Sequence, residues 1–284
     1  MSGRVTEKDI IAAPFVRAAN ATLRDAIVVA PGAALDLVAP LYGEPSSIIE
    51  RAKEQHKVLT RTLQDCGVRI HPLETDDESG HATFVADCAF VISGGAIILR
   101  PHRIDRRREV NAVETKLRDH GIPILGKIEA PGLLDGGDIV LAGNTAYIGV
   151  PKKKPRSNTL GRSQFSQILA SAGMQTLDLP MDESIPRLSD VFSSAAEDLI
   201  VAATDFVDTS SLRARAQVLE IPRGEEYGAS LLALGSRRVL TNLRFRFAVP
   251  MLRKAKLDVV AIDLWEFGKV GGGPPSLVLA LKRS

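Results

Sequence analysis

The stretch LDGGDIVLAGNTAYIGV, residues 134–150, places a glycine pair between two carboxylates and follows it with two apolar runs. Paired glycines allow the backbone to turn sharply and to approach a neighbouring segment closely. Gly143-Asn144 between the two apolar runs is a hairpin signal. Taken alone, Asp135 is a turn residue in front of a strand. The alternative is a carboxylate aimed into a pocket, where it holds a cation such as a guanidinium.

The order of elements around this stretch recurs along the chain. A hairpin, a helix and a further strand follow one another at roughly 50–60 residues, and a fixed period of this kind predicts a propeller or another repeated array. Hairpins are expected at 84–100, 138–150 and 230–240, and helices at about 106–120, 161–172 and 247–255. A further helix is expected from Ser46 or Ser47, as its cap, to about Cys66, with Gly67 ending it.

The two ends of the chain complete this pattern. The first unit, which begins with a strand at 26–30, lacks one hairpin strand, and 276–281 is one strand too many. A C-terminal strand that closes the first unit would remove the open edges of the array. The sequence therefore predicts an α/β fold of five pseudosymmetric modules in a closed propeller. An open mixed sheet with helices on both faces is the alternative.

Composition excludes several classes of protein. The 284 residues are 45% hydrophobic and 25% charged, which is typical of a globular protein, and the net charge of +2 favours neither a nucleic acid nor a membrane as partner. Cys66 and Cys88 cannot form a disulfide framework or a cysteine metal site. The chain has no apolar run of the roughly 18–20 residues that cross a bilayer, and no apolar signal region at residues 1–9. We expect a cytoplasmic protein with a single domain, residues 1–284, in which 1–22 is a flexible or lid segment.

Four motifs of the chain occur in the order in which one family has them. They are Phe84-Val85-Ala86-Asp87, Arg100-Pro101 with Arg106-Arg107-Arg108-Glu109, Leu134-Asp135-Gly136-Gly137-Asp138, and Arg156-Ser157-Asn158 with Gly161. Together they resemble the dimethylarginine dimethylaminohydrolases, within the arginine deiminase and amidinotransferase superfamily of guanidine-modifying proteins. The resemblance covers about 26–281. It implies the five-module α/β propeller of that superfamily, the pentein fold, with a pocket on the central axis.

The resemblance also implies a role for each motif. Asp87 and Asp135 would hold a substrate guanidinium, while Arg106 and Arg156 would bind its α-carboxylate. This division suits an arginine-like ligand, because arginine side chains present a rigid fork that matches a carboxylate. The expected partner is therefore a small amino acid or guanidino compound. We expect no cofactor, metal, nucleic acid or membrane partner, and consider a homodimer.

The catalytic positions of the family differ in this chain. The family's cysteine nucleophile corresponds to Ser276, and its histidine general acid–base corresponds to Arg187. A serine hydroxyl lacks the acidity of a thiol and needs a base beside it. Arginine stays protonated, so Arg187 cannot be that base, and it brings positive charge to the place of the guanidinium. His81 replaces a common aspartate that contacts the α-amino group, and Ala86 replaces a glutamate.

Three functional hypotheses follow. In the first, the protein is a catalytically degenerate family member that binds an amino-acid or guanidino ligand. In the second, it is an active enzyme with rewired residues, in which His81 acts as the base on a different amino acid. In the third, it is a structural or regulatory subunit with a vestigial pocket. We expect Arg187 to pair with Asp87 or Asp135 and to fill the guanidinium site, and Cys88 to be a buried core thiol.

Overall fold

The computed structural model describes residues 10–41, 43–75, 79–153, 155–210, 212 and 216–284. In this part of the chain the strands are β1 Leu23–Val28, β2 Arg69–Pro72, β3 Ala89–Ile92, β4 Gly95–Ile98, β5 Ile124–Lys127, β6 Ile139–Ala142, β7 Thr145–Pro151, β8 Gln175–Met181, β9 Phe192–Ala196, β10 Leu199–Ala202, β11 Gln217–Glu220, β12 Leu232–Gly235, β13 Arg238–Asn242, β14 Asp258–Ile262 and β15 Leu279–Arg283. The helices are α1 Ile49–Asp65, α2 Arg107–Asp119, α3 Thr159–Ser171, α4 Leu188–Val191, α5 Ala248–Lys254 and α6 Trp265–Gly268.

The strands form five three-stranded sheets with the same topology. In modules two to five, an inner strand (β3, β6, β9 or β12) runs antiparallel to the middle strand, which is parallel to the outer strand. Module one is built from both ends of the chain, because β15 pairs antiparallel with β1 and β1 pairs parallel with β2. The predicted five-module α/β fold is confirmed, and so is the closure of the first module by the C-terminal strand.

The inner strands of all five modules surround one small cavity on the propeller axis. This inner cavity has a volume of about 160 Å³, and β3, β6, β9, β12 and β15 each contribute residues to its wall. Five apolar clusters lie between neighbouring modules, and helices α1, α2, α3 and α5 each pack into one of them. The loops that lead into the inner strands therefore meet on the axis, above a closed core.

The sequence predicts the buried face and the C-terminal end of helix α1 correctly, but not its N-terminal cap. Its buried side chains recur at three- and four-residue spacing, as predicted. Gly67 ends the helix with φ +82°, and the Val68 N–H donates to the Leu63 carbonyl, as in a glycine C-cap. The predicted serine N-cap is wrong. Glu266 caps the helix, since its carboxylate accepts the Ile48 N–H at 2.8 Å, while the Ser47 hydroxyl donates to the Glu266 carbonyl.

Two predicted strand boundaries need correction. The strand expected from Phe84 begins only at Ala89, because residues Val85–Asp87 form a short 3₁₀ turn that buries the Asp87 carboxylate against Arg106. Strand β9 was not anticipated, because its serines and alanines lack an alternating pattern even though all five of its residues are buried.

The N-terminal segment is described only from residue 10. Ile11 and Phe15 are buried in the core of modules one and two, and the Phe15 N–H donates to the Ser93 carbonyl at 3.1 Å. Residues 1–9 of the expected flexible segment lie outside the described residues. In the described part of the chain, no helix combines the length and apolar character needed to cross a membrane.

Candidate functional site

A short helical turn precedes each inner strand and delivers polar residues to the axis. These turns are Val85–Asp87 before β3, Gly136–Asp138 before β6, α4 before β9 and Glu226–Ala229 before β12. A hydrogen-bonded turn at 274–277 occupies the same place before β15. The repeat therefore brings residues that are far apart in sequence to equivalent positions around one axis.

A cleft of about 560 Å³ opens at this end of the propeller. Its charged and histidine lining residues are His81, His102, Arg103, Asp105, Arg106, Asp135, Arg156 and Arg187. Five of the predicted site residues thus meet in this axial cleft. The other two do not line it, since Asp87 is completely buried in contact with Arg106 and Arg187, and Ser276 lines the inner cavity.

Asp87 is held by groups of the protein itself. Arg106 pairs with its carboxylate, an Arg187 nitrogen (Nη2) lies 3.4 Å from Oδ2, and the Gly137 N–H donates to Oδ1 at 2.7 Å. Burial alone would raise the pKa of Asp87, but the guanidinium groups of Arg187 and Arg106 hold it well below its usual value. Arg187 was expected to pair with Asp87 or Asp135, and its partner is Asp87, whose carboxylate is ionised and already paired within the protein.

Arg187 is packed on every side of its guanidinium. Only 6% of the residue is exposed, Nη1 donates to the Gly271 carbonyl, and Cζ lies 4.9 Å from the centre of the Phe84 ring. Position 137 must be glycine here, because a Cβ added there would lie 2.4 Å from Arg187 Cδ. Arg187 therefore closes the floor of the axial cleft from inside the protein.

Arg106 supports this floor and is itself buried, with 1% exposed. Nε and Nη2 both donate to Glu109, Nη2 also donates to the Phe84 carbonyl at 2.9 Å, and Nη1 donates to Asp87. Four of its five N–H donors are thus engaged within the protein. The predicted carboxylate-binding role of Arg106 could draw on only one remaining Nη1 hydrogen.

The two aspartates of the DGGD stretch have different surroundings. Asp135 faces the axial cleft, where its Oδ2 accepts the His102 N–H at 3.1 Å and lies 2.9 Å from His102 Nδ1. Asp138 is buried, pairs with Arg156 and accepts the Ser157 hydroxyl at 2.7 Å. Asp135 is thus the carboxylate presented to the cleft, while Asp138 positions Arg156.

His81 and Cys88 differ in the chemistry they could support. Burial, aided by the nearby guanidinium groups of Arg103, Arg106 and Arg187, lowers the pKa of His81 to about 4. His81 is therefore neutral at pH 7. Cys88 is fully buried, and burial raises the pKa of its thiol, so the expectation of a core thiol is confirmed.

Ser276 has no base hydrogen-bonded to it within the described part of the chain. It is 1% exposed, and its Oγ has no hydrogen-bond partner among the described residues. It lines the inner cavity with Ser189, whose Oγ is also without a partner there. A hydroxyl in this state is not activated as a nucleophile.

Several residues around the axial cleft were not anticipated from the sequence. Ala34, Leu37, Val38, Ala39 and Leu41 form an apolar rim, and Leu37 is 83% exposed. His102 was also missed, although it follows the Arg100-Pro101 pair directly. No group of three His, Cys, Asp or Glu side chains within the described ranges is arranged to hold a metal ion.

No protein-family model matches the chain. Among curated proteins, it is 29% identical over 223 residues to the N(G),N(G)-dimethylarginine dimethylaminohydrolase of Pseudomonas aeruginosa. The alignment covers 78% of this chain and 85% of that protein. The fold also superimposes on solved dimethylarginine dimethylaminohydrolase structures. One is a histidine-to-glycine variant carrying an S-methyl-L-thiocitrulline adduct, with a TM-score of 0.83 and 26% identity.

A second structure is a cysteine-to-serine variant of the Pseudomonas aeruginosa protein complexed with citrulline, with a TM-score of 0.82 and 26% identity. Each superposition covers 91% of this chain and 99% of the other. The chain is thus dimethylarginine dimethylaminohydrolase-like over most of its length. Its similarity to guanidine-modifying hydrolases is therefore shown both by sequence and by the five-module fold.

Proposed function

We propose that this protein binds an amino-acid ligand in the axial cleft without the cysteine–histidine hydrolase chemistry of its relatives. The state of Asp87 carries this proposal. A guanidinium substrate needs a carboxylate to hold it, and in this chain Asp87 is already neutralised by Arg106 and Arg187. In this proposal the Arg187 side chain supplies the guanidinium group that the substrate supplies in the relatives. A ligand in the cleft therefore meets a positive charge at that position.

The charges of the axial cleft favour a ligand with a carboxylate. Its described lining contains four arginines and two aspartates. Buried carboxylates offset the charges of Arg106, Arg156 and Arg187, but a guanidinium N–H group that faces the cleft still matches a carboxylate. In this proposal Arg156 and the remaining Arg106 donor bind the carboxylate. Asp135 and His81 contact the ammonium end of an amino acid. Citrulline, ornithine, aspartate and arginine are the ligands to compare.

The chemistry of the family's catalytic positions, Ser276 and Arg187, supports a protein without guanidine hydrolysis. A guanidinium does not serve as a general base in place of an imidazole, so Arg187 cannot take over the role of the family's histidine. The Ser276 hydroxyl lines a different cavity and has no hydrogen-bond partner among the residues that the structure describes. His81 is neutral and could accept a proton in a rewired enzyme, but a group with a pKa of about 4 is a weak base at pH 7.

The citrulline complex of the relative fits this proposal. That complex was obtained with a cysteine-to-serine variant, so loss of a cysteine in this fold is compatible with a bound amino acid. A ligand-binding measurement distinguishes this proposal from a structural or regulatory role with a vestigial pocket, because a vestigial pocket would bind no amino acid. The cytoplasmic location, the single domain and the homodimer expected from the sequence stay predictions.

Calorimetry tests the proposal directly. The purified protein is titrated with arginine, citrulline, ornithine and aspartate, and we expect saturable binding of at least one of them. Arg156→Ala should weaken that binding at least tenfold, because losing a charged hydrogen bond costs about 1.5–3 kcal/mol. Arg238→Ala is the matched control, since Arg238 pairs with Asp258 on the surface of module five. Absence of binding by all four amino acids would contradict the proposal.

A further inference from the structure

A second cavity lies behind the loop that borders the axial cleft. This side cavity has a volume of about 240 Å³ and lies between the Gly271–Pro274 loop, residues 224–230 and helix α6. It shares only Leu41 and Gly271 with the lining of the axial cleft. A single water molecule needs roughly 10–15 Å³ of such cavity volume, so the side cavity can hold a small organic molecule.

The charged residues of this cavity are all acidic. Glu44, Asp190, Glu225 and Glu226 line it, and the described lining residues include no lysine, arginine or histidine. Two of these carboxylates already serve the protein, because Glu225 accepts the N–H groups at the start of α5 and Glu226 accepts the Gly224 N–H at 2.7 Å. Glu44 interacts with the Arg244 guanidinium, so Asp190 is the carboxylate left to face a ligand.

The floor of the side cavity contains two buried polar atoms without partners. Asp190 is 1% exposed and Ser230 is 2% exposed, and neither Asp190 Oδ2 nor Ser230 Oγ has a hydrogen-bond partner among the described residues. Buried polar atoms are nearly always paired, since leaving one unpaired costs about 1–3 kcal/mol. Both residues line the side cavity, so a ligand with several N–H donors has two unpaired acceptors within the lining to bind.

The walls suit the apolar part of a cation. Tyr227, Phe245 and Trp265 present aromatic surface, and Leu264 adds an aliphatic side chain. Aromatic faces attract ammonium groups, and apolar walls with a few convergent polar atoms are typical of small-molecule sites. The Gly273 backbone packs closely against Ser230, because a Cβ at position 273 would lie 2.0 Å from Ser230 Oγ.

We propose that the side cavity is a second ligand site, which takes a small primary alkylammonium ion. Its ammonium group donates to Asp190 Oδ2 and Ser230 Oγ, and its alkyl stem lies against the aromatic wall. The site is separate from the axial cleft and does not depend on the function proposed for that cleft.

Titration of the protein with n-butylammonium tests this site, with 1-butanol as the neutral probe of the same size. We expect saturable binding of butylammonium by calorimetry and at least tenfold weaker binding of butanol. Asp190→Asn keeps the shape of the side chain and removes its charge, and it should weaken butylammonium binding at least tenfold. Asp135→Asn, in the axial cleft, is the matched control and should leave it unchanged.

Proton release gives a second measurement of the same site. Burial raises the pKa of Asp190 to about 7, with Arg187 and Arg156 opposing this shift and Asp87 and Asp138 adding to it. Bound butylammonium would ionise Asp190, so titrations at pH 6.5 in buffers of different ionisation enthalpy should show release of most of one proton.

The proposal is overturned by no binding of butylammonium, by equal binding of butylammonium and butanol, or by equal affinity of the wild type and a folded Asp190→Asn variant. Binding that Asp135→Asn abolishes would place the ammonium in the axial cleft and would likewise overturn it. Thermal melts of each variant establish that it is folded before its affinity is compared.

Discussion

Replacing Arg187 with alanine removes one of the two guanidinium groups that neutralise the buried Asp87 carboxylate. At the observed 3.4 Å, two unit charges attract each other by about 5 kcal/mol at an effective dielectric constant of about 20. Part of this attraction offsets the desolvation of Arg187, and Arg106 and the Gly137 N–H still hold Asp87 in the variant. We therefore expect a loss of about 3 kcal/mol of unfolding free energy, at the low end for a broken buried pair.

The variant should also acquire a site for an external guanidinium. Arg187→Ala leaves a space beside Asp87 that matches the missing group, and a ligand that binds only the folded state raises its stability. For 284 residues the unfolding entropy is about 0.6 kcal/mol/K, so 3 kcal/mol corresponds to a fall in Tm of about 5 °C. Methylguanidinium at about 10 mM should recover part of this loss in the variant and have no such effect on the wild type.

Thermal melts and urea titrations with and without methylguanidinium measure both effects, and tetramethylammonium controls for ionic strength. Arg103→Ala is the control variant, since Arg103 is exposed at the cleft and pairs with Asp105, so its loss should cost less than about 0.5 kcal/mol. The reasoning is refuted if Arg187→Ala costs no more than Arg103→Ala. It is refuted equally if methylguanidinium stabilises the wild type as much as the variant.

Two further predictions concern the packing and the protonation of the axis. Gly137→Ala should destabilise the protein by about 1–3 kcal/mol in urea titrations, because its Cβ would lie 2.4 Å from Arg187 Cδ and 2.9 Å from Asp87 Oδ1. Gly94→Ala, whose Cβ meets nothing closer than 3.9 Å, should change stability much less, and equal effects would contradict the close packing. Burial raises the pKa of Asp190 from 3.8 to about 7, so its contribution to stability is present below pH 4 and is lost as the pH rises through 7. The Asp190→Asn variant should therefore gain up to about 4 kcal/mol over the wild type between pH 4 and pH 8, and a pH-independent difference would contradict a buried, unpaired carboxyl.

The fold followed from the sequence where local signals and the repeat agreed. Glycine turns marked three hairpins, apolar spacing and Gly67 marked α1, and the extra C-terminal strand indicated closure of the first module. The errors arose where a distant partner decides the local structure. The cap of α1 comes from Glu266, and the turn at Val85–Asp87 forms because Asp87 is buried against Arg106. The residues around Ile48 and around Asp87 contain no sequence pattern that predicts either contact.

The candidate site was predicted only in part, because several of its contacts also depend on residues that are distant in the sequence. The pairing of Arg187 with Asp87 followed from the rule that a buried arginine needs a carboxylate partner. The depth of Arg106, the pairing of Arg156 with Asp138 and the position of His102 depend on how neighbouring modules are spaced, which one sequence does not reveal. Family motifs identified which residues meet on the axis, and the structure showed which of them still face the cleft.

Citrulline formation by the purified wild-type protein tests the central claim most directly. The protein is incubated with arginine and with dimethylarginine, and citrulline is followed over time beside a Ser276→Ala variant and a protein-free blank. We expect the three traces to coincide, because the Ser276 hydroxyl has no hydrogen-bond partner among the described residues and Arg187 already pairs with Asp87. Steady citrulline formation by the wild type that disappears in Ser276→Ala would contradict the claim.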